Sequence, residues 1–583
     1  MAHIDPILFS VLDNRFSTIC AEIGETMLRT SRSPIFSEAR DFVSAIFDQR
    51  GRLIAQKDYI PVLSGAAPYA LHAIIDHFKE RIYEGDIYVL NDPYRGNNHP
   101  PDITVVKPVF YHGELVFWSM AKGHHIDVGG GGVGGYNPLA TDAWTDALRI
   151  PPVKLYERGI KQQDVWDLIL INVHIPFLVE GDLLCQIGAA TIGERALQSL
   201  VKKYGIDLLN TVIDEIFDVY EKKMRLEIRK IPNGTYYAER KIDHDGIDTD
   251  RLVTIRLALT VDNEEIIFDY SATDSQVKGF LNSPYPNTVS SSNIALFSTI
   301  EQKIKINEGS TRPVTVIAPY GSLLNPQEPA PTTACTVCTC EAITEAGWFA
   351  LAQAVPHLSQ AGWNRWAAPA SGGFNPRTGK FFSDIHFMSK GGGGATYGFD
   401  GWDHMGTVCT LGGLRAPDPE LHELITPFRI LNYEYIKDYA GPGQWRGGHG
   451  VHYKWQVLAD NVAFAMFGSG VRDETVPFGL EGGSPAQKTR QYIIKANGER
   501  KWLDVNCFIQ AEKGDIIEIF SSGGGGYGDP FARPPEKVLE DVKNELLSLE
   551  SAKRDYGVVI DIDMNTLKIN WPETEQMRKN QKQ

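Results

Sequence analysis

Apolar positions in the N-terminal stretch recur at helical spacing. Leu8, Val11, Leu12, Phe16, Ile19, Ile23 and Met27 form one stripe, and Asp5 before Pro6 supplies a cap, so a long amphipathic helix is predicted over 6–30. The period then shortens. In "RDFVSAIFDQRGRLIAQ" two apolar runs flank Gly51, as a hairpin requires, and Asp41 opens the first strand. A helix is expected near 68–80. From about 157 to 228 the spacing is helical again, until Pro232, Asn233 and Gly234 end it. Strands are predicted in "GTYYAERKIDHDG", "LVTIRLALTVD" and "EEIIFDYSAT", and helices in "NTVSSSNIALFSTIEQKI" and "CEAITEAGWFALAQAV". Short alternating strands follow from about 428 to 530. "PPEKVLEDVKNELLSLESAKRDYG" predicts one helix closed by Gly557, then the strand "VVIDID" and a polar tail.

This order implies a multidomain α+β protein, with mixed sheets packed by helices and a strand-rich C-terminal region. A chain of 583 residues exceeds what one core supports. Boundaries are expected to separate 1–232, an α/β region, 233–427, a mixed region, 428–530, a β-rich region, and 531–583, a helix, strand and tail.

The stretch "NHPPDITVVKPVFYHGELVFWSMAKGHHIDVGG" carries the candidate chemistry. Two β-branched and aromatic runs are separated only by "YHG", a hairpin signal. With the turn centred near His112 and Gly113, His124 falls opposite residue 100 or 101. His99, Asp102 and His124 then share one end of the hairpin, where directly opposed Cβ atoms lie about 4.5–5.5 Å apart. Two imidazoles and a carboxylate suit Zn²⁺, Mn²⁺ or Fe²⁺. The alternative is that the histidines cap strand ends and Asp102 makes a turn hydrogen bond. Adjacent side chains on an extended chain point to opposite faces, so His124 is the favoured ligand and His125 has a supporting or acid/base role. Asp127 is a further ligand, a supporting partner or a loop residue.

Composition narrows the function. A formal net charge of −16 argues against nucleic acid or an anionic membrane surface, which call for clustered Lys and Arg. No run approaches the roughly 18 apolar residues of a membrane span. Seven scattered cysteines and no basic-then-apolar leader make the cytoplasm the expected compartment. "ACTVCTC" supplies Cys335, Cys338 and Cys340 but no second knuckle for zinc, so buried or free thiols are expected. The glycine runs at 129–135, 391–394 and 523–528 fit neither phosphate-binding template and read as tight or mobile loops. Arg446 and His449, in "GPGQWRGGHGV", are either an anion site or a structural turn.

Over nearly its whole length the chain resembles the hydantoinase B family. These are the B-type subunits of N-methylhydantoinase, 5-oxoprolinase and caprolactamase, with related subunits of acetone and acetophenone carboxylases. The likeness is carried by "RDFVSAIFDQRGRLIAQ", "NDPYRGNNHPPDITVVKPVF", "GHHIDVGG", "QVKGFLNSP", "GPGQWRGGHGV", "GGGGYGDP" and "AKRDYGVVI". It implies a divalent metal, zinc or manganese, on His99, Asp102 and His124, with Asp41 as a fourth ligand and His125 or Asp127 as proton carrier. It also implies a separate A-type partner that carries ATP and magnesium, in a hetero-oligomer such as A2B2. That partner would phosphorylate a small cyclic amide, a lactam, hydantoin or 5-oxoproline-like ring, which this chain would hydrolyse. The runner-up readings are a component of an ATP-dependent ketone carboxylase and a non-catalytic scaffold. The sequence departs from the family pattern at "TTACTVCTCEA" and at His174, where Arg is common.

Overall fold

The computed structural model describes residues 4–580 apart from 411, 564 and 565. Helix α1 (Pro6–Thr30) forms where the stripe predicts it, burying Leu12, Phe16, Ile19, Ile23 and Met27, and the Asp5 carboxylate accepts the Ile7 amide at its N-terminus. Strands β1 (Phe42–Asp48) and β2 (Leu53–Asp58) form the first hairpin, with Gly51 at φ +82° in the turn. Helices α2 (Pro61–Gly65) and α3 (Ala67–Phe78) lead to β3 (Ile87–Leu90), then to β4 (Asp102–Tyr111) and β5 (Glu114–His124). After α4 (Ala143–Asp146), β6 (Val153–Glu157) and β7 (Ile160–Lys161), three helices complete the region: α5 (Gln163–Ile171), α6 (Pro176–Tyr204) and α7 (Ile206–Ile228). The strands make one antiparallel sheet in the order β2-β1-β5-β4-β3-β6-β7. Helix α6 packs across β4 and β5 on one face, while Leu71 and Ile74 of α3 pack with Trp118 and Met120 on the other.

The central hairpin sets the register of everything built on it. His112 and Gly113 both take positive φ, +52° and +83°, the combination a two-residue primed turn needs. Next to the turn Phe110 opposes Leu115, but a bulge between Val109 and Phe110 shifts the ladder, and Val109 opposes Phe117. His124 therefore sits opposite Asp102 rather than opposite residue 100 or 101.

A second sheet, β11-β10-β9-β8, combines β8 (Gly234–Ile242), β9 (Val253–Asp262), β10 (Glu265–Asp269) and β11 (Val314–Ile317), with only β10 and β11 parallel. Helix α8 (Tyr285–Phe297) and the short α9 (Glu308–Thr311) lie between β10 and β11 in sequence, and α10 (Thr339–Ala352) packs over β8, β9 and α8. Then come β12 (Ala368–Asn375), β13 (Lys380–Ile385), α11 (Pro419–Ile425), β14 (Phe428–Ile436), β15 (Gly450–Val457), β16 (Val462–Phe467), β17 (Arg490–Ile494), β18 (Arg500–Trp502), β19 (Cys507–Ala511) and β20 (Ile516–Phe520). They form the sheets β13-β12-β16-β19 and β14-β15-β20-β17-β18. The first of these joins strands from both sides of position 427, and the main apolar core runs without interruption from Ile4 to Ile519.

The C-terminal segment differs from its prediction. Two helices form, α12 (Pro535–Lys543) and α13 (Leu549–Tyr556), because Glu545 takes φ +60° and Ser548 caps the second by accepting the Ser551 amide. The expected polar tail continues β21 (Ile560–Asp563) into its partner β22 (Thr566–Ile569) and α14 (Trp571–Asn580).

The C-terminal glycine runs are interlocked backbones, not mobile loops. Gly448 donates its amide to Gly393, Gly524 to Gly448, and Ala395 to Gly525. A Cβ on Gly447 would lie 1.8 Å from the Gly524 carbonyl oxygen, and one on Gly524 would lie 1.9 Å from that of Gly393. Arg446 and His449 belong to this stack. The Arg446 guanidinium reaches Asp541, and the His449 amide and ring both donate to Asp403, so they are a structural turn. Gly524→Ala is expected to lower stability by about 1–3 kcal/mol through overpacking. Gly188→Ala, inside α6 with open space around its Cβ, is expected to raise it by about 0.5–1 kcal/mol. Thermal denaturation of both variants checks the pair; equal midpoints would contradict the packing assignment.

Candidate metal centre

The register of β4 and β5 brings Asp102 and His124 face to face. His99 joins them from the loop just before β4. One donor atom from each of His99, Asp102 and His124 lies within 4.8 Å of the other two. Asp102 Oδ1 is 3.0 Å from His99 Nε2 and 3.2 Å from His124 Nδ1, and the side chains are at most 4% exposed. The imidazole centroids are 5.1 Å apart.

Hydrogen bonds around the trio fix its orientation. His99 Nδ1 donates to the Thr333 carbonyl at 2.7 Å, with Thr336 Oγ1 3.2 Å from the same nitrogen. That orientation turns His99 Nε2 towards the Asp102 carboxylate oxygen. In a buried setting an imidazole nitrogen and a carboxylate oxygen at this distance are held together by a proton or a cation between them. His99 Nε2, His124 Nε2 and Asp41 Oδ1 are all buried without a hydrogen-bond partner. Orphaned donors of this kind are what a divalent ion satisfies, so the residues present fit the ion that the sequence implies. Burial alone would raise the Asp102 carboxyl, but the two histidines hold it well below the usual carboxylate range. Asn98 Nδ2 donates to its other oxygen.

Asp41 stands beside the trio rather than within it. Its carbonyl accepts the His124 amide at 3.0 Å, and its side chain lines the same chamber. Burial pushes its carboxyl up to about 7, with His124 lowering and Asp102 raising it. The chamber measures about 10 Å³, the space of a single small occupant, and is closed by Leu63, Tyr136, Thr336, Trp366, Phe387 and Leu414 among others. Tyr136 stacks on His124 at 5.9 Å and on Phe467 at 4.1 Å. A cavity of about 780 Å³ adjoins it, and Ile385 and Phe387 line both.

His125 and Asp127 are not brought to this chamber. The His125 ring turns to the opposite face of the sheet, donating from Nε2 to Gln186 Oε1 of α6 at 2.9 Å and packing edge-on to Phe36. Its burial lowers its affinity for a proton. Asp127 accepts the amides of Gly129 and Ile175 and the Nδ1 proton of His174, tying the glycine loop to the start of α6. Cys335, Cys338 and Cys340 are free and buried, and burial pushes Cys338 and Cys340 up to about 12. "ACTVCTC" matters instead through its own Thr336 and the preceding Thr333.

Two participants escape the sequence reading. Lys122 opposes Thr104 on the same sheet face as the Asp102–His124 pair, with Nζ buried and unpartnered, and burial pushes it down to about 8. A lysine in an otherwise apolar strand was the signal available. Asp146 has no such signal. It accepts the Thr332 and Thr333 amides and the Thr333 hydroxyl, and so holds the carbonyl that orients His99.

Burial outweighs those hydrogen bonds and raises the Asp146 carboxyl from 3.8 to about 7. Through that window the folded chain keeps a proton that the unfolded chain has lost. This group therefore makes stability fall as pH rises, and the fall levels off above the folded value. Asp146→Asn is expected to flatten the change in thermal midpoint between about pH 5 and about pH 7. An unchanged slope would contradict the assignment.

Comparison with known proteins gives a consistent result. The hydantoinase B/oxoprolinase family model matches residues 5–530. The beta chain of the caprolactamase of Pseudomonas jessenii is 35% identical over 96% of this chain and 97% of its own length. The B component of a putative D-/L-hydantoinase from Pseudomonas sp. (strain NS671) is 32% identical over 99% of each. The crystal structure of the ATP-dependent caprolactamase from Pseudomonas jessenii superposes with a TM-score of 0.92, 33% identity and coverage of 99% of this chain and 100% of that one. A nucleotide-free acetone carboxylase structure shares the fold, with a TM-score of 0.91 at 20% identity, covering 99% of this chain and 83% of the other. With its segment order, its central hairpin and these matches taken together, the chain belongs to the hydantoinase B/oxoprolinase family.

Proposed function

We propose that this chain is the B-type, metal-bearing component of an ATP-dependent cyclic amide hydrolase acting on a lactam, hydantoin or 5-oxoproline-like ring. The observation that carries the reading is the buried gathering of His99, Asp102 and His124, with one donor atom of each within 4.8 Å of the other two. The names of the full-length relatives, one from a caprolactamase and one from a putative hydantoinase, supply the substrate class.

His99, Asp102 and His124 would hold the ion, with Asp41 Oδ1 as the fourth donor. Two imidazoles with carboxylate oxygen match zinc or manganese, which when bound supplies Lewis acidity. The Thr333 carbonyl and Asp146 keep the His99 tautomer, and Asn98 orients Asp102. Leu63, Trp366 and Phe387 keep bulk water out of the chamber. The adjoining cavity, with Ile35, Ile126, Ile385 and Phe387 in its wall, is large and apolar enough to seat a small ring. His125 and Asp127 are positioning residues for the strand end and the glycine loop.

No nucleotide-binding motif is evident in the sequence, so ATP and magnesium belong to an A-type partner in a hetero-oligomer, A2B2 being the simplest symmetric form. The partner phosphorylates the amide oxygen, which breaks amide resonance and makes that oxygen a leaving group. Water then adds to the ring carbon, the C–N bond breaks as the nitrogen takes up a proton, and a second water hydrolyses the resulting acyl phosphate to the amino acid and inorganic phosphate.

Ring opening coupled to ATP hydrolysis, measured on the co-purified complex, tests the reading. His99→Ala and His124→Ala are each expected to lower turnover by about 10³-fold or more, and chelation should do the same until zinc or manganese is restored. Full turnover by these variants would reject the metal centre. Incorporation of labelled bicarbonate into a ketone would instead place the chain with the carboxylases.

A further inference from the structure

A second group of the same composition lies in the other half of the chain. Asp384 is the penultimate residue of β13, His386 follows the strand, and His422 sits on α11. One donor atom from each lies within 4.8 Å of the other two. Asp384 Oδ2 is 3.2 Å from His422 Nε2 and 3.7 Å from His386 Nε2. For metal–ligand bonds of about 2.0–2.1 Å, the edges of a tetrahedron are about 3.3–3.4 Å, so both separations bracket the expected edge. Ser371 Oγ stands 3.0 Å from the same His386 nitrogen. The imidazole centroids are 5.6 Å apart, close to the spacing of the His99–His124 pair.

The polar atoms here lack partners. His386 and His422 side chains are 0% and 3% exposed, yet His386 Nδ1, both nitrogens of His422 and Asp384 Oδ2 make no hydrogen bond. Of these, His422 Nε2 and Asp384 Oδ2 face each other, and leaving two such atoms buried and unsatisfied is costly unless something lies between them. The apolar shell holds the rings in place, with Trp455 stacked on His386 at 4.3 Å and Phe428 against both imidazoles. One side is open. Asp384 and His422 line the 780 Å³ cavity, as does Glu38, whose charge reaches Asp384.

We propose that Asp384, His386 and His422 form a second divalent-cation site of the zinc class, separate from the His99, Asp102 and His124 centre. Its remaining coordination position faces the large cavity, where an oxygen of a bound small molecule can complete it. The site does not depend on the hydrolase reading.

Metal counting on the full-length chain tests it. The chain is stripped with a chelator, equilibrated with Zn²⁺ or Co²⁺ alone, and analysed by elemental analysis and by the visible spectrum of the cobalt form. The His124→Ala variant, lacking the first centre, is expected to retain about one equivalent with a tetrahedral cobalt spectrum. Adding His422→Ala should remove it, and the near-isosteric Asp384→Asn should weaken binding at least about tenfold while circular dichroism remains native. No bound metal in the His124→Ala variant would overturn the second site and leave the first standing. Metal lost on His422→Ala but kept on His124→Ala would support the second site and reject the first.

Discussion

The structure of this region turns on one electrostatic conflict, a carboxylate gathered with two imidazoles in a buried chamber. In solution such groups would separate or take up protons. Here Asp102 and His124 are opposed by the ladder of β4 and β5, and His99 is fastened through its other nitrogen to the Thr333 carbonyl. The conflict is therefore built in by strand register and hydrogen bonding, and a positive charge resolves it. Each supporting contact removes a route of escape: Asn98 on Asp102, Asp146 on Thr333, Tyr136 across the His124 ring.

Three stretches of chain far apart in sequence share this task. The N-terminal sheet provides the ligand trio and Asp41. The segment before α10 provides the carbonyl that orients His99. Trp366, Phe387 and Leu414 close the chamber from the C-terminal half. The apolar core is continuous through all three, so the chamber is a product of the whole fold and not of the hairpin alone. The neighbouring cavity meets it at Ile385 and Phe387, so the polar pocket and the space for a ring share two apolar side chains.

Much of this was legible in the sequence. Alternation in "ITVVKPVF" and "ELVFWSM" marks the hairpin, and "YHG" marks its turn, so the gathering of His99, Asp102 and His124 follows from local pattern. The bulge at Val109 and Phe110 does not, because nothing in those residues distinguishes an extra β5 position from a regular one; it moves His124 by one partner. Alternation along an extended strand correctly separates His124 from His125. It gives no hint that Gln186, sixty-one residues on, receives the second ring. The Thr333 carbonyl is invisible to any reading of side chains, as backbone acceptors always are. The break between α12 and α13 rests on the Ser548 cap, a signal present in "LLSLES" but outweighed there by helical spacing.

The glycine stack has a bearing on how the molecule is made. Gly393, Gly448 and Gly524 bond to one another in sequence, yet more than a hundred residues of chain separate the first from the last. Until the third run leaves the ribosome, the earlier two can bond to each other, but the Gly448 carbonyl and the Ala395 amide lack the partners that Gly524 and Gly525 provide. Contacts of such long sequence separation close late and slowly, so the C-terminal half is committed only near the end of synthesis. Truncation upstream of position 524 would leave exposed polar backbone where the finished protein has its tightest packing.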